Sequence, residues 1–256
     1  DALPEAACIV NPNVSGSTFP SKALAGCGVM FYVLLALRAE LRRRGVYTQA
    51  TQPRLDRLSD LVALGTVADV VKLDHNNRVL VAQGLSRVRR GLAFAGIKAL
   101  FEVAGRDITQ ATARDFSFAI APRINAAGRL TEMGVGIECL LADDPETARR
   151  CAQELENLNR ERRGLEDSMQ LDAVERLSSM DWRHHATITL FEEDWHQGVV
   201  GLVASRLKER THRPVIAFAR DDHDLLKGSG RSIEGIHLRD TLDWVSKHAP
   251  DVIERF

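Results

Sequence analysis

This 256-residue chain has no overall positive charge, no cysteine pairing, no long apolar run and none of the common nucleotide-loop or hydrolase signatures. Each absence excludes something. With a formal net charge of −1, no global field draws in a polyanion, so any phosphate-binding surface must be local. The four cysteines, Cys8, Cys27, Cys139 and Cys151, form no Cys-x-x-Cys pair. That argues against a zinc or dithiol motif and for reduced, mostly buried thiols in a cytoplasmic protein. The longest apolar stretch, Gly26 to Leu37, is too short to cross a bilayer and runs into arginines. No signal peptide is visible. Walker A, His-Glu-x-x-His and Gly-x-Ser-x-Gly patterns are absent, as are repeats and low-complexity tracts.

What is present is ordinary for a globular protein, with 45% hydrophobic and 27% charged residues. The length suits one large domain or two modest ones. The chain opens at Asp1, almost directly into the apolar run Ala6 to Val10, and stops at Phe256 inside a helix-like pattern without a stop residue. Both ends suggest a fragment of a longer protein.

Patterning predicts a short buried strand at Ala7 to Val10, then a helix over Leu24 to Arg44, buried on most sides and ending in basic residues that suit its dipole. Helical segments are expected at Val79 to Val88, Ile97 to Ala104 and Val135 to Leu141. From Pro145 to about Met180, apolar residues recur at helical spacing among charges. Pro145 suits a helix start, and the pattern gives one amphipathic helix of about 50 Å at ~1.5 Å per residue. After Trp182 the character is α/β: strands at Thr187 to Phe191, Pro214 to Ala219 and Leu225 to Ile233, and helices at Gly198 to Arg210 and Leu238 to His248. The expected organisation is a first domain over 1–142, a long interdomain helix over 143–181 and a smaller α/β domain over 182–256.

Four constellations carry chemistry. In Pro122-Arg-Ile-Asn-Ala-Ala-Gly-Arg129, two arginines bracket small residues. Pro122 fixes one torsion and Gly128 frees another, so a turn there would hold two guanidinium forks suited to phosphate; a helix cap with two surface arginines is the plain alternative. Leu61 to Val71 reads LVALGTVADVV, with Asp69 its only charge. Burying a lone carboxylate is costly unless it is paired or binds a metal; metal ligand, helix cap and ion pair all stay open. Trp195-His196-Gln197-Gly198 precedes a helix whose first N–H groups favour an anion, with an exposed polar loop and a capping Gln as the alternative; Gly228-Ser-Gly-Arg-Ser232 offers close backbone approach with hydroxyl and guanidinium donors, though Gly-Ser turns are also common in hairpins. The acidic-histidine runs at Asp181, His184 and His185 and at Asp221 to Asp224 look like solvated loops, as does His75.

Taken in order, GTVADVVKLDHNNR (Gly65 to Arg78), PRINAAGR (Pro122 to Arg129), WHQGVVGLVASRLKE (Trp195 to Glu209) and GSGRS (Gly228 to Ser232) closely resemble the single-strand-specific DNA exonucleases of the DHH phosphoesterase superfamily. VNPN at Val10 and LAGCGV at Leu24 fit the same pattern. The resemblance spans essentially the whole chain. It implies an α/β fold: the later portion of a DHH domain with a mostly parallel sheet, a long connector helix, and a DHH-associated domain truncated at its C-terminus. It implies a hydrolase that digests single-stranded DNA from the 5′ end to mononucleotides with Mn²⁺ or Mg²⁺ at a two-metal site, in DNA repair and recombination. Partners would be single-stranded DNA and repair proteins such as a helicase or single-strand-binding protein, with no membrane. By motif, Asp69 matches a metal-binding catalytic aspartate. Arg123, Asn125 and Arg129 match substrate contacts, and His196, Gly198, Ser229, Gly230, Arg231 and Ser232 match a phosphate-gripping surface.

The Asp-His-His triplet and early aspartates of that superfamily have no counterpart here, nor does its Gly-Gly-His element. One aspartate cannot hold two hard cations, so the chain alone is expected to be inactive or nearly so. Two other readings stand beside this one: a DHH phosphoesterase acting on short oligonucleotides or small phosphates, and a non-catalytic single-stranded nucleic-acid-binding module.

Overall fold

The computed structural model describes residues 3–221 and 223–256. It is α/β and divides into two compact units: Asp1–Ala127 with Glu132–Asn157, and Gly128–Thr131 with Leu158–Phe256.

Among the described residues the regular elements of the first unit are all helices. Its main elements are α1 (Gly26–Arg43), α2 (Ser59–Ala68), α3 (His75–Arg89), α4 (Ala95–Val103), a single turn α5 (Ala113–Asp115), a π turn at Phe116–Ile120, α6 (Ala121–Leu130), whose end from Gly128 on belongs to the second unit, and α7 (Gly134–Leu141). Missing side chains allow the closest helix approaches. A Cβ on Gly84 of α3 would stand 2.3 Å from Ala63 of α2, and one on Gly96 of α4 would stand 1.8 Å from the Cys139 carbonyl of α7. Phe101 and Phe116, both fully buried, meet edge to face at 6.1 Å in the core of this unit.

Several expectations change here. Residues Ala7 to Val10 are exposed and form no strand, because a strand needs a partner ladder and no described segment pairs with them. Of α1, only Gly28 is buried, while Met30 and Leu37 are about half exposed; the chief neighbours of α1 are α2 and the turn Leu55–Leu58, which cover one side. His75 starts a helix rather than lying in a loop. Asp74 caps α3 by accepting from the Asn77 amide at 2.9 Å and from the Ser21 hydroxyl at 2.7 Å. Buried Asn77 donates to the carbonyls of Ala23 and Lys72, each at 2.8 Å.

The long helix α8 runs over Pro145–Ser179, 35 residues, and contributes Pro145–Asn157 to the first unit and Leu158–Ser179 to the second. The strands all lie in the second unit: β1 (Ile188–Phe191), β2 (Val215–Arg220) and β3 (Leu226–Arg231), in the order β1-β2-β3. β1 and β2 pair in parallel across the crossover helix α9 (Val200–Thr211), and β2 and β3 form an antiparallel hairpin. The last helix is α10 (Leu238–His248). Met169, Ala173 and Leu177 of α8 pack with Ile188, Val203, Leu207 and Val215 into one apolar core. The hairpin turn is made by Asp221, whose carboxylate accepts from the amides of His223 and Leu225; Asp222 lies outside the described residues.

Candidate functional site

The segment Pro122 to Arg129 is a helix, not a turn: it lies within α6. Pro122 sits in the first turn, where its missing N–H costs little, and Gly128 keeps a negative φ. Arg129 lies six positions after Arg123, so at 3.6 residues per turn the two forks leave on different faces. Arg123 turns inward: it is 7% exposed, pairs with Glu156 at 2.6 Å and donates to the Ala119 carbonyl. Asn125 is exposed.

Arg129 belongs to the second unit and meets other motif residues there. Its guanidinium donates to the Gly198 carbonyl at 3.1 Å. A Cβ on Gly198 would lie 1.9 Å from the Arg129 carbonyl oxygen, so only glycine admits this contact. The amide of Gly198 donates to His196 Nδ1 at 3.1 Å, which folds the Trp195–Gly198 loop onto itself. The carbonyl of His196 accepts from the amides of Val199 and Val200 at the entry of α9.

The glycines of the second basic motif serve packing. It forms strand β3, and a Cβ on Gly228 would strike the Phe218 ring, while one on Gly230 would strike Leu238. Gly201 of α9 leaves room for the Arg231 guanidinium and the Ser229 hydroxyl, which lie 2.9 Å and 2.8 Å from where its Cβ would stand. Arg231 donates to the Ser205 hydroxyl at 2.9 Å, the Ser229 hydroxyl at 3.1 Å and the Gly230 carbonyl at 2.8 Å. It has no carboxylate partner among the described residues. Ser232 donates its hydroxyl to the Ile236 carbonyl.

Electrostatics tie these pieces together. Burial lowers the pKa of Arg129, and the positive charges of Arg162 and Arg231 lower it further, while Glu166 acts the other way. Three guanidiniums thus crowd one half-buried place in the second unit. Glu166 accepts from Arg162 at 2.6 Å and lies 3.7 Å from Arg206. Glu166 offsets part of this positive charge, and an incoming anion would offset more. Sequence reading passed over Arg162, Glu166 and Ser205. Arg162 and Glu166 are an i,i+4 pair on the charged face of α8, where such pairs ordinarily face solvent; here they are 11% and 14% exposed.

Asp69 belongs to the first unit. It caps the C-terminal end of α2 and is exposed, not buried. The buried carboxylate of that helix is Asp60, fully enclosed, accepting from the amides of Leu61 and Phe94 at 2.9 Å and 3.1 Å with Arg87 at 3.5 Å. Among the described residues no three His, Cys, Asp or Glu side chains gather as a cation site. The described residues therefore do not by themselves fit a two-metal centre.

Residues 184–251 match the DHHA1 domain model. Over its whole length the chain is 51% identical to the single-stranded-DNA-specific exonuclease RecJ of Haemophilus influenzae and 50% identical to that of Escherichia coli. Along its whole length the chain is thus similar to part of the RecJ exonucleases. It spans 45% of the length of both relatives. The crystal structure of RecJ with Mg²⁺ from Thermus thermophilus superposes on 96% of this chain and 35% of its own, with a TM-score of 0.76 at 34% identity. A RecJ structure bound to manganese covers 88% of this chain and 53% of its own, with a TM-score of 0.71 at 36% identity. These family members hold Mg²⁺ or Mn²⁺.

Proposed function

We propose that this chain is the strand-gripping part of a metal-dependent 5′→3′ exonuclease that acts on single-stranded DNA, releases 5′-mononucleotides and works in cytoplasmic DNA repair and recombination. The observation that carries the reading is the half-buried Arg129, held by the Gly198 carbonyl and acted on by the positive charges of Arg162 and Arg231, with Glu166 paired to Arg162. Arginine forks held this way bind phosphate oxygens without reading bases. Arg231 is pre-set by three hydrogen bonds and Arg129 by the Gly198 carbonyl, so little side-chain freedom is left to lose on binding.

In this reading Ser229, Gly230 and Ser232 supply the frame of the hairpin and His196 the shape of the loop beside Gly198. Asp69 would be one ligand of a cation, with Mn²⁺ or Mg²⁺ supplying an activated water in the intact enzyme. Asn125 is free to face a strand, whereas Arg123 acts through its ion pair with Glu156. The domain reading that follows is a DHH portion, a connector helix and a DHHA1 domain. Helicase or single-strand-binding proteins are proposed partners of the intact enzyme. In this reading the chain alone grips a strand without cleaving it.

The experiment is a pair of assays on the 256-residue chain with 5′-phosphorylated single-stranded DNA. Binding should weaken steeply with salt, and the double variant Arg129→Ala/Arg231→Ala should bind at least tenfold more weakly for every sequence. Release of nucleotides with Mn²⁺ should be negligible. Robust release would overturn the inactivity, and undiminished binding by the double variant would overturn the strand-gripping role.

A further inference from the structure

The first unit carries a second basic feature that the reading above does not use. An open cleft of about 760 Å³ is lined by five cationic side chains, Arg54, Arg57, Arg87, Lys98 and Arg149. In a chain of net charge −1, this is a local concentration of positive charge. Two of the five are engaged: Arg54 with Asp56 at 2.7 Å and Arg87 with Asp60 at 3.5 Å. Arg57, Lys98 and Arg149 are exposed and have no carboxylate partner among the described residues. The acidic members of the lining are Glu102 and Asp143.

The remaining wall is apolar. Leu92, 51% exposed, and the half-buried Phe94 line the same cleft. The backbone there is fixed from behind: the Phe94 amide donates to Asp60, and buried Asp60 also meets Arg87. The entry of α4 adds to the positive field, since it has no side-chain cap and no acidic residue in its first turn. A cleft lined by Leu92 and Phe94, with three cations that have no carboxylate partner and a volume within the usual range of small-molecule sites, suits a ligand with a planar ring at one end and a phosphate at the other.

We propose that this cleft binds a nucleoside monophosphate unit, with the phosphate on Arg57, Lys98 and Arg149 and the base against Phe94 and Leu92. The unit can be a free mononucleotide or one residue of a strand, and both present the same chemistry. The site is separate from the Arg129–Arg231 cluster and does not rest on the role proposed for it.

The test is calorimetric titration of the 256-residue chain at low salt with deoxyadenosine 5′-monophosphate, deoxyadenosine, inorganic phosphate and a 5′-phosphorylated dinucleotide. The variants are Arg57→Ala/Lys98→Ala/Arg149→Ala, Phe94→Ala and Arg129→Ala/Arg231→Ala, each checked for folding by thermal melt. The triple variant should lose at least tenfold in affinity for the nucleotides. Phe94→Ala should weaken the nucleotide and leave inorganic phosphate unchanged. The Arg129/Arg231 variant should still bind the nucleotide. Tight binding of the dinucleotide alone assigns the cleft to a strand; comparable binding of the monophosphate assigns it to the free nucleotide. Nucleotide affinity that survives the triple variant but vanishes in the Arg129/Arg231 variant would overturn the proposal, as would no measurable binding by any phosphorylated ligand.

Discussion

Arg129 and Gly198 lock each other: the Arg129 guanidinium donates to the Gly198 carbonyl at 3.1 Å, and any Cβ on residue 198 would lie 1.9 Å from the Arg129 carbonyl oxygen. The obstructing atom is backbone, so neither side can yield by changing rotamer. Gly198→Ala should therefore displace the end of α6 and the guanidinium it carries. The expected cost is about 1–3 kcal/mol of stability, together with at least a fivefold loss of affinity for single-stranded DNA. Urea unfolding and filter binding on the same preparation check both. Full affinity at reduced stability would mean that Arg129 does not hold the strand.

Glu166 offsets the positive charge around Arg129 and accepts from Arg162 at 2.6 Å. Glu166→Gln removes that negative charge and keeps the side-chain shape. Two consequences of opposite sign follow. Stability should fall by about 2 kcal/mol as a charge-assisted hydrogen bond weakens. Affinity for an anionic strand should rise about three- to fivefold at low salt and return toward the wild-type value as salt screens the cluster. A variant that binds more weakly at every ionic strength would show that Glu166 organises the site more than it opposes the ligand.

The long helix was legible because one chemistry repeats along it, and the structure extends it over Pro145–Ser179. What that same regularity hid was the Arg162–Glu166 pair, which differs from its neighbours only in being enclosed. The arginine motif was legible as residues but not as shape. Proline and glycine near its ends suggested a turn, yet proline in a first helical turn and glycine at negative φ are both compatible with the helix that forms. Asp69 stood out in its apolar run, but burial follows the helix face and not the composition of the run. Asp60, nine residues earlier, faces the core, and Asp69 lies past the last turn of α2. Strand pairing at Ala7 to Val10 was unreadable for a different reason: a ladder is a property of two segments, and only one was in view.

Thiol reactivity separates the four cysteines. Burial first, then the negative charges of Cys151 and Glu138, push the Cys139 thiol up to about 12. At pH 8 its thiolate fraction is about one part in ten thousand, and the thiolate is the reacting species. Cys151 is also buried with a raised pKa, whereas Cys8 is exposed. Alkylation of the native protein followed by mass mapping should label Cys8 within minutes and leave Cys139 and Cys151 unmodified until denaturant is added. Rapid labelling of Cys139 in the native protein would contradict its burial on α7 against Gly96 of α4 and Ala148 of α8.

Asp60 makes stability depend on pH in a defined direction. Its burial raises its pKa above the ordinary aspartate value of 3.8, against the opposing influence of the Phe94 and Leu61 amides and Arg87. A folded-state pKa raised above the unfolded one means that the folded protein holds a proton the unfolded chain releases. The stability contributed by this group is complete below 3.8 and is lost as pH rises through the folded-state value. Asp60→Asn removes the titration. It also turns an N–H group toward one of the two amides that the carboxylate satisfies, and leaves Arg87 without its partner, costing about 1–3 kcal/mol at pH 7. Other carboxylates titrate alike in both proteins and cancel from the comparison. The stability gap between wild type and Asp60→Asn should therefore widen as pH falls from 7 toward 4 in urea-unfolding series. A gap that stays constant or narrows would show that Asp60 is held as a carboxylate by Arg87 and the two amides, with burial the lesser influence.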